Sequence, residues 1–169
     1  KSRNMSQWQL HQEYPRSPDE AFIKSGNPVF DIDLLNTFET VEPEVGFLHA
    51  YSNNVVEFRP TENGNFSVWE FPDAEAVSVI GSDVAEGLQY GDYSSAHIIN
   101  ATYGYVVAHW HGHVEPDIFG EMLAQMGWWY NTALLGIESN NHGLTTLKAA
   151  QNLGYRNLYK QRRLSKVTP

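Results

Sequence analysis

The sequence predicts an α/β protein built on one mixed β-sheet flanked by helices. Three β-prone runs at residues 76–83, 94–103 and 103–113 follow one another, separated by turns rich in glycine or asparagine. Residues 115–131 then repeat apolar side chains at helical spacing, and residues 132–138 form a fourth short apolar run. Since a strand that follows a crossover helix usually pairs in parallel, we expect an antiparallel meander followed by a parallel pair.

Further elements are predicted on both sides of this core. Residues 17–22, Ser-Pro-Asp-Glu-Ala-Phe, are typical of the first turn of a short helix. Two strand-like runs flank residues 62–65, Glu-Asn-Gly-Asn, and Asn-Gly favours a tight turn, so a β-hairpin is expected there. A second long helix is predicted over 140–155 and a last strand over 156–161.

Length and composition limit the classes of protein. The chain has 169 residues and no cysteine, which excludes disulfide frameworks, thiolate zinc sites and cysteine nucleophiles. No apolar stretch approaches the roughly 18 residues that span a bilayer, and the first residues lack the apolar segment of an export signal. We therefore expect one soluble domain that is not secreted and has no membrane partner.

Charge is distributed unevenly along the chain. The net charge is −9, yet residues 148–169 hold six of the eleven basic residues and no acid. Residues 60–147 contain no lysine or arginine. Their acids are Glu62, Glu70, Asp73, Glu75, Asp83, Glu86, Asp92, Glu115, Asp117, Glu121 and Glu138. Such a centre cannot neutralise converging carboxylates with salt bridges, which favours a divalent metal, unless the acids simply lie on a solvated face.

Two of these acids end predicted strands. Asp83 follows the first apolar run of the core and Glu138 follows the fourth. If these strands are parallel neighbours, both carboxylates lie at the sheet edge where ligands gather, as hard oxygen donors suited to Mg²⁺ or Mn²⁺. The alternatives are that Asp83 opens a turn and that Glu138 caps the following helix.

Three histidines alternate along the third predicted strand. His109, His111 and His113 lie on one face of it, and imidazoles are ligands for zinc or copper. Same-face neighbours on a strand are about 7 Å apart, which is too far for all three to reach one ion easily. We therefore expect a strand face that points to solvent or to a covering helix.

Three segments resemble the large terminase subunit of tailed bacteriophages. Residues 13–31, "EYPRSPDEAFIKSGNPVFD", resemble the junction that follows the motor ATPase of these proteins. Residues 81–99, "GSDVAEGLQYGDYSSAHII", and residues 134–155, "LLGIESNNHGLTTLKAAQNLGY", are similar to the first and second acidic motifs of their C-terminal nuclease domain. The segments occur in the family's order, and the resemblance covers nearly the whole chain.

This resemblance implies an RNase H-like fold and a metal-dependent endonuclease that cuts concatemeric viral double-stranded DNA during genome packaging. Asp83 and Glu138 match the first two catalytic, metal-binding acids, and Asp92 and Glu86 are further candidate metal ligands in the matching loop. One or two Mg²⁺ or Mn²⁺ ions are implied. The implied partners are DNA, the terminase ATPase domain, the small terminase subunit and the portal, in the cytoplasm of an infected host and transiently at the procapsid.

The chain departs from the family pattern after Glu138. The family's third metal-binding acid lies far downstream of the second, but no acid follows Glu138 here. We expect residues 1–45 to be a lead-in segment after an absent ATPase, since no phosphate-binding loop motif occurs, and residues 46–169 to be a nuclease domain truncated at its C-terminus.

Basic residues near the end of the chain are candidate DNA contacts, although a solvated terminus is the alternative. They are Lys160, Arg162, Arg163 and Lys166. Two other functions remain open: a non-catalytic DNA-binding or portal-docking module of the packaging motor, and another RNase H-like nuclease such as a resolvase or an integrase.

Overall fold

The computed structural model describes residues 32–35, 37–88, 90–138 and 142–160. The chain divides into two compact units, with the boundary between Val41 and Glu42. In the first unit, a single helical turn, α1, spans Ile32–Leu35, and the Thr37 hydroxyl donates to the Leu34 carbonyl at 2.7 Å. The helix predicted at residues 17–22 lies outside the described residues, and the division into a lead-in segment and a nuclease domain stays a prediction.

The second unit contains an open seven-stranded sheet in the order β2-β1-β3-β6-β5-β4-β7. Neighbouring strands are antiparallel except β4 and β7, which are parallel. The described strands are β1 Glu44–Ala50, β2 Val56–Pro60, β3 Phe66–Val68, β4 Ser78–Asp83, β5 Ser94–Asn100, β6 Tyr105–Gly112 and β7 Leu134–Ile137. The described helices are α2 Pro116–Trp129 and α3 Gly143–Asn152, and a short 3₁₀ turn covers Ser52–Asn54. The predicted mixed sheet with flanking helices is confirmed.

Alternation of side chains gives the central sheet one buried face and one open face. In β5, Ala96 and Ile98 are fully buried whereas His97 between them is exposed. This period of two is expected for a strand that is covered on one side only. The buried side chains of the strands face α2, and we call the opposite side of the sheet the outer face.

Helix α2 covers the inner face because its apolar side chains recur at helical spacing. Phe119 and Leu123 are fully buried, and the ring of Phe119 lies 4.9 Å from that of Trp110 in β6. Pro116 at the start and Asp117 in the first turn suit a helix N-terminus, since proline has no amide hydrogen to lose and aspartate interacts favourably with the helix dipole. The core therefore lies between α2 and strands β3–β7.

Helices α2 and α3 approach closely because α2 carries glycine at the contact. A Cβ atom at Gly120 would collide with the backbone carbonyl of Thr146, and one at Gly127 would collide with the ring of Tyr155. The hydroxyl of Thr146, which is fully buried, donates to the Pro116 carbonyl at 2.7 Å. This contact fixes the start of α3 against α2.

The predicted β-hairpin around residues 62–65 is wrong. A turn does form there, with the Gly64 amide donating to Thr61 at 3.1 Å, but β2 and β3 lie on opposite sides of β1. The chain crosses β1 at Gly46, which pairs with the end of β2 and with the start of β3. Two glycines permit this crossing, because a Cβ at Gly64 would collide with the Gly46 backbone.

The last predicted strand, over 156–161, is reduced among the described residues to one parallel bridge between Leu158 and Leu135. The Leu135 amide donates to Asn157 at 2.9 Å, and the Tyr159 amide donates to Leu135 at 2.8 Å. This segment therefore runs beside β7 in the same direction, toward the end of the sheet where β7 stops.

Candidate functional site

Asp83 and Glu138 lie side by side at the carboxyl ends of two neighbouring parallel strands. Asp83 is the last residue of β4, and Glu138 directly follows β7. Ser82 is the register partner of Ile137, and the Glu138 amide donates to the Ser82 carbonyl at 3.2 Å. Both acids are exposed, so their carboxylates keep access to water and to ions.

Both acidic side chains belong to the outer face. Ile80 and Leu135 are register partners and point into the core, so the residues that follow them at odd spacing point away from it. Ser95 in β5 is the partner of Asp83, and His111 in β6 is the partner of Ser95. The strand pairing therefore places the two acids and the histidines of β6 on the same face of the sheet.

A pair of glycines lies beside the acids, and the outer face is open at Gly81, whereas Tyr159 lies next to Gly136. Gly81 and Gly136 are register partners and occupy the positions two residues before Asp83 and Glu138. No atom lies within 4 Å of a Cβ built on Gly81, and one built on Gly136 meets its nearest atom at 3.5 Å. Glycine inside a strand is otherwise unfavourable and often marks close approach of a ligand or another backbone.

Glu86 and Asp92 stand apart from this pair. The carboxylate of Glu86 lies 3.3 Å from Nε2 of His142, the N-cap residue of α3. His142 thus occupies the cap position for which Glu138 was an alternative candidate. Asp92 is exposed in the segment before β5. Among residues 32–35, 37–88, 90–138 and 142–160, no group of three or more histidines and acids is arranged to hold a metal ion.

Within the described residues, the candidate ligands for a cation at this site are therefore the carboxylates of Asp83 and Glu138. Mg²⁺ commonly keeps several waters and binds through one or two carboxylates together with substrate phosphates, so this pair suits it. No lysine or arginine occurs between residues 60 and 147 to compete for the two carboxylates by salt bridges. The residues fit a hard divalent ion.

The histidines of β6 form an aromatic cluster on the outer face. The ring of His109 stacks on His97 of β5 at 4.3 Å, and Tyr93 stacks on His111 at 4.4 Å. The hydroxyl of Ser95 lies 3.1 Å from Nε2 of His109. Burial lowers the pKa of His109, and the neighbouring His97 and His111 lower it further. His111 is exposed to solvent, as expected for a solvent-facing strand.

Of the four basic residues that are candidate DNA contacts, only one lies within the described residues. Lys160 is exposed and ends the segment that runs beside β7, which places it toward the end of the sheet that carries Glu138. Arg162, Arg163 and Lys166 lie outside the described residues.

A cavity of about 260 Å³ opens at the other end of the central strands. Its lining includes Ser78, Asn100 and Tyr105, at the opposite ends of β4, β5 and β6 from Asp83 and His111. It is therefore separate from the strand-end acids. Neither this cavity nor the glycine pair was predicted from the sequence. The glycine pair could have been recognised, because Gly-Ser-Asp and Gly-Ile-Glu each place a glycine two residues before a candidate acid.

The strand order, the parallel β4–β7 pair and the flanking helices give the chain an RNase H-like nuclease fold. Two solved structures share it, both of the large terminase nuclease from thermophilic phage G20c. The one with bound cobalt is 16% identical, with a TM-score of 0.51, over 63% of this chain and 54% of that chain. The one with bound magnesium is 16% identical, with a TM-score of 0.52, over 63% of this chain and 55% of that chain.

The resemblance to large terminase nucleases is thereby confirmed at the level of the fold. The chain spans little more than half the length of those two structures. No protein-family model and no curated protein matches the sequence. None of the helices in the described part of the chain has the length and hydrophobicity needed to cross a membrane.

Proposed function

We propose that this chain is a metal-dependent endonuclease domain of the large-terminase type, which cuts concatemeric viral double-stranded DNA during genome packaging. The observation that carries the proposal is the side-by-side placement of Asp83 and Glu138 on the exposed face of a large-terminase nuclease fold. The motif resemblance and the metals bound in the two solved structures support it.

In this proposal Asp83 and Glu138 hold one or two Mg²⁺ or Mn²⁺ ions through their carboxylates. Such an ion makes water a better nucleophile and stabilises the attacking and leaving oxygens of an in-line displacement. The oxygen of water would bond to phosphorus and release one proton to solvent, while the bond from phosphorus to the 3′ oxygen breaks and that oxygen takes up a proton. The ends would be a 5′-phosphate and a 3′-hydroxyl. Asp92 and Glu86 are weaker candidates, since Glu86 already pairs with His142.

The open strip beside the acids gives the phosphodiester a place to approach. The strip is centred on Gly81, around whose built Cβ no atom lies within 4 Å, so a DNA backbone can approach Asp83 and Glu138 there. Lys160, Arg162, Arg163 and Lys166 belong to the proposal as phosphate contacts that offset the negative charge of the centre. The ATPase domain, the small terminase subunit and the portal are its proposed protein partners.

A larger side chain at Gly81 should lower the rate of DNA cutting without lowering the stability of the protein. We expect Gly81→Val to leave the free energy of unfolding unchanged or raise it by up to about 1 kcal/mol, because valine favours strands and the site is open. Cutting should fall about tenfold or more, since the new side chain displaces DNA from the acids. Urea unfolding and DNA-cutting kinetics measure the two effects. Ala50→Val, at an exposed position of β1 on the far side of the sheet from β4, is the matched control. Full activity of Gly81→Val would exclude the strip from the site.

The basic residues should contribute to DNA affinity through phosphates alone. Replacing Arg162, Arg163 and Lys166 with serine should flatten the slope of log affinity against log salt by up to about 2.7, at about 0.9 for each contact. Binding should weaken equally for different sequences, because phosphate contacts carry no direct base information. Fluorescence anisotropy over a salt series in Ca²⁺ measures the slope. Arg59→Ser, in β2, is the control. An unchanged slope in the triple variant would mean that the three basic side chains do not contact DNA phosphates.

Nicking of supercoiled plasmid tests the proposal, because one cut per molecule is enough to detect activity. We expect relaxation of the plasmid in Mn²⁺ or Mg²⁺ and none in excess EDTA. DNA binding without any metal-dependent nicking would overturn the enzyme proposal and favour the non-catalytic packaging module. Metal-dependent cutting confined to branched DNA would favour a resolvase.

A further inference from the structure

We propose that His97, His109 and His111, which we call the histidine row, bind the phosphate backbone of duplex DNA and make DNA affinity rise as the pH falls. The proposal rests on the proposed function in taking DNA as the ligand. It adds a binding surface and a form of regulation to that function.

The register places the histidine row on the same face as the acids and next to them. Gly81 pairs with His97, and His97 pairs with His109, so the row begins one strand away from the open strip. His111 continues the row along β6, with its ring centroid 5.9 Å from that of His109. A DNA backbone that reaches the strip therefore lies over these imidazoles.

Charge is the reason to assign a polyanion to this surface. Strands β3–β7 contain no lysine or arginine, so histidine is the only side chain on the central sheet that can become cationic. Histidine gains its charge between about pH 5 and 8. Asp83 and Glu138 on the same face would repel phosphates unless positive charge next to them offsets this repulsion.

The groups that face the row explain the direction of the pH effect. They are Ser95 and Tyr93 beside it, Ser67 opposite His109, His113 in ring contact with Tyr93, Asp83 across Ser95, and the imidazoles themselves. Burial lowers the pKa of His109, and the repulsion of His97 and His111 lowers it further. A bound phosphate would attract the protonated form of an imidazole, and acid favours that form, so we expect DNA binding to tighten as the pH falls.

The arrangement of the histidine row leaves the edges of its exposed rings accessible to a ligand. His97 and His109 stack at 4.3 Å, and the Ser95 hydroxyl at 3.1 Å fixes one nitrogen of His109. His97 and His111 are exposed, so their ring nitrogens can donate to a ligand. No metal-holding group of three or more histidines and acids occurs within the part of the chain that the structure describes.

The test is DNA affinity by fluorescence anisotropy in Ca²⁺, over a salt series at pH 5.5 and at pH 8, with circular dichroism to verify folding. For the wild type we expect a salt slope steeper at pH 5.5 by about 1.8, from two protonated histidines at about 0.9 each. His97→Gln with His111→Gln should remove this difference. His49→Gln, in β1 beside Tyr51, is the matched control and should keep it.

Each outcome decides one way. A double variant that keeps the wild-type dependence on pH, or a control that loses it equally, overturns the inference. If the double variant loses the dependence while the wild type fails to nick plasmid in Mn²⁺, the DNA surface stands and the nuclease proposal fails. If the wild type nicks plasmid and its salt slope is the same at both pH values, the inference alone fails.

Discussion

Asp83→Asn should lower the rate of Mn²⁺-dependent DNA cutting by about 10³-fold or more, and Glu138→Gln should do the same. Metal-assisted charge stabilisation in the transition state is worth several kcal/mol, and each 1.36 kcal/mol changes the rate about tenfold. Both substitutions keep the shape of the side chain but remove the negative charge that holds the ion. Nicking kinetics of supercoiled plasmid measure the rate.

The matched control is Glu121→Gln, which removes an exposed acid from α2 on the other side of the sheet. It should cut at the wild-type rate. The two site variants should unfold within about 0.5 kcal/mol of the wild type, because Asp83 and Glu138 are exposed. Cutting by Asp83→Asn at the wild-type rate would remove Asp83 from the site.

Phe119→Ala should reduce the free energy of unfolding by about 3–5 kcal/mol. The ring is fully buried between α2 and the sheet, 4.9 Å from the ring of Trp110, so its removal leaves a cavity that neighbours cannot fill. Urea unfolding measures the loss. Phe119→Leu retains most of the apolar volume and should lose less than about 1.5 kcal/mol, which keeps the test readable if the alanine variant does not fold.

The neighbouring residue provides the control for Phe119. Ile118 is 42% exposed and lies about 100° around α2 from Phe119, so Ile118→Ala should cost less than about 1 kcal/mol. Equal losses for the two alanine variants would mean that α2 does not cover the sheet with the face described above.

Periodic segments of the fold were predictable from the sequence. Helix α2 was readable because its apolar residues recur at helical spacing and Pro116 precedes them. Strands β4 and β7 were predictable as parallel neighbours because a helix connects back to the sheet between the meander and β7. The proximity of Asp83 and Glu138 follows from these two features.

The pairing among β1, β2 and β3 could not be predicted from the sequence. The Asn-Gly turn at residues 62–65 predicted a hairpin, but a local turn signal does not reveal that β1 lies between the two strands it connects. Strand β1 itself was missed, because the residues of Glu44–Ala50 do not alternate apolar and polar side chains in the sequence. Pairing with β2 and β3 stabilises it more than its own composition does.

The surroundings of the candidate site also depend on register. Alternation predicted that His109 and His111 share a face, but not that His97 and Tyr93 lie against them. The pairing of β5 with β6 shifts at a bulge next to Ile98, and no local pattern in the sequence specifies such a shift. The proposed histidine row therefore became recognisable only from the register.

Mn²⁺ binding measured by isothermal titration calorimetry tests the central claim, that Asp83 and Glu138 together hold the metal, most directly. The wild type and Glu121→Gln should bind Mn²⁺ equally, and Asp83→Asn and Glu138→Gln should each bind at least about tenfold more weakly. Wild-type affinity in both site variants would contradict the claim, because the metal would then be held elsewhere.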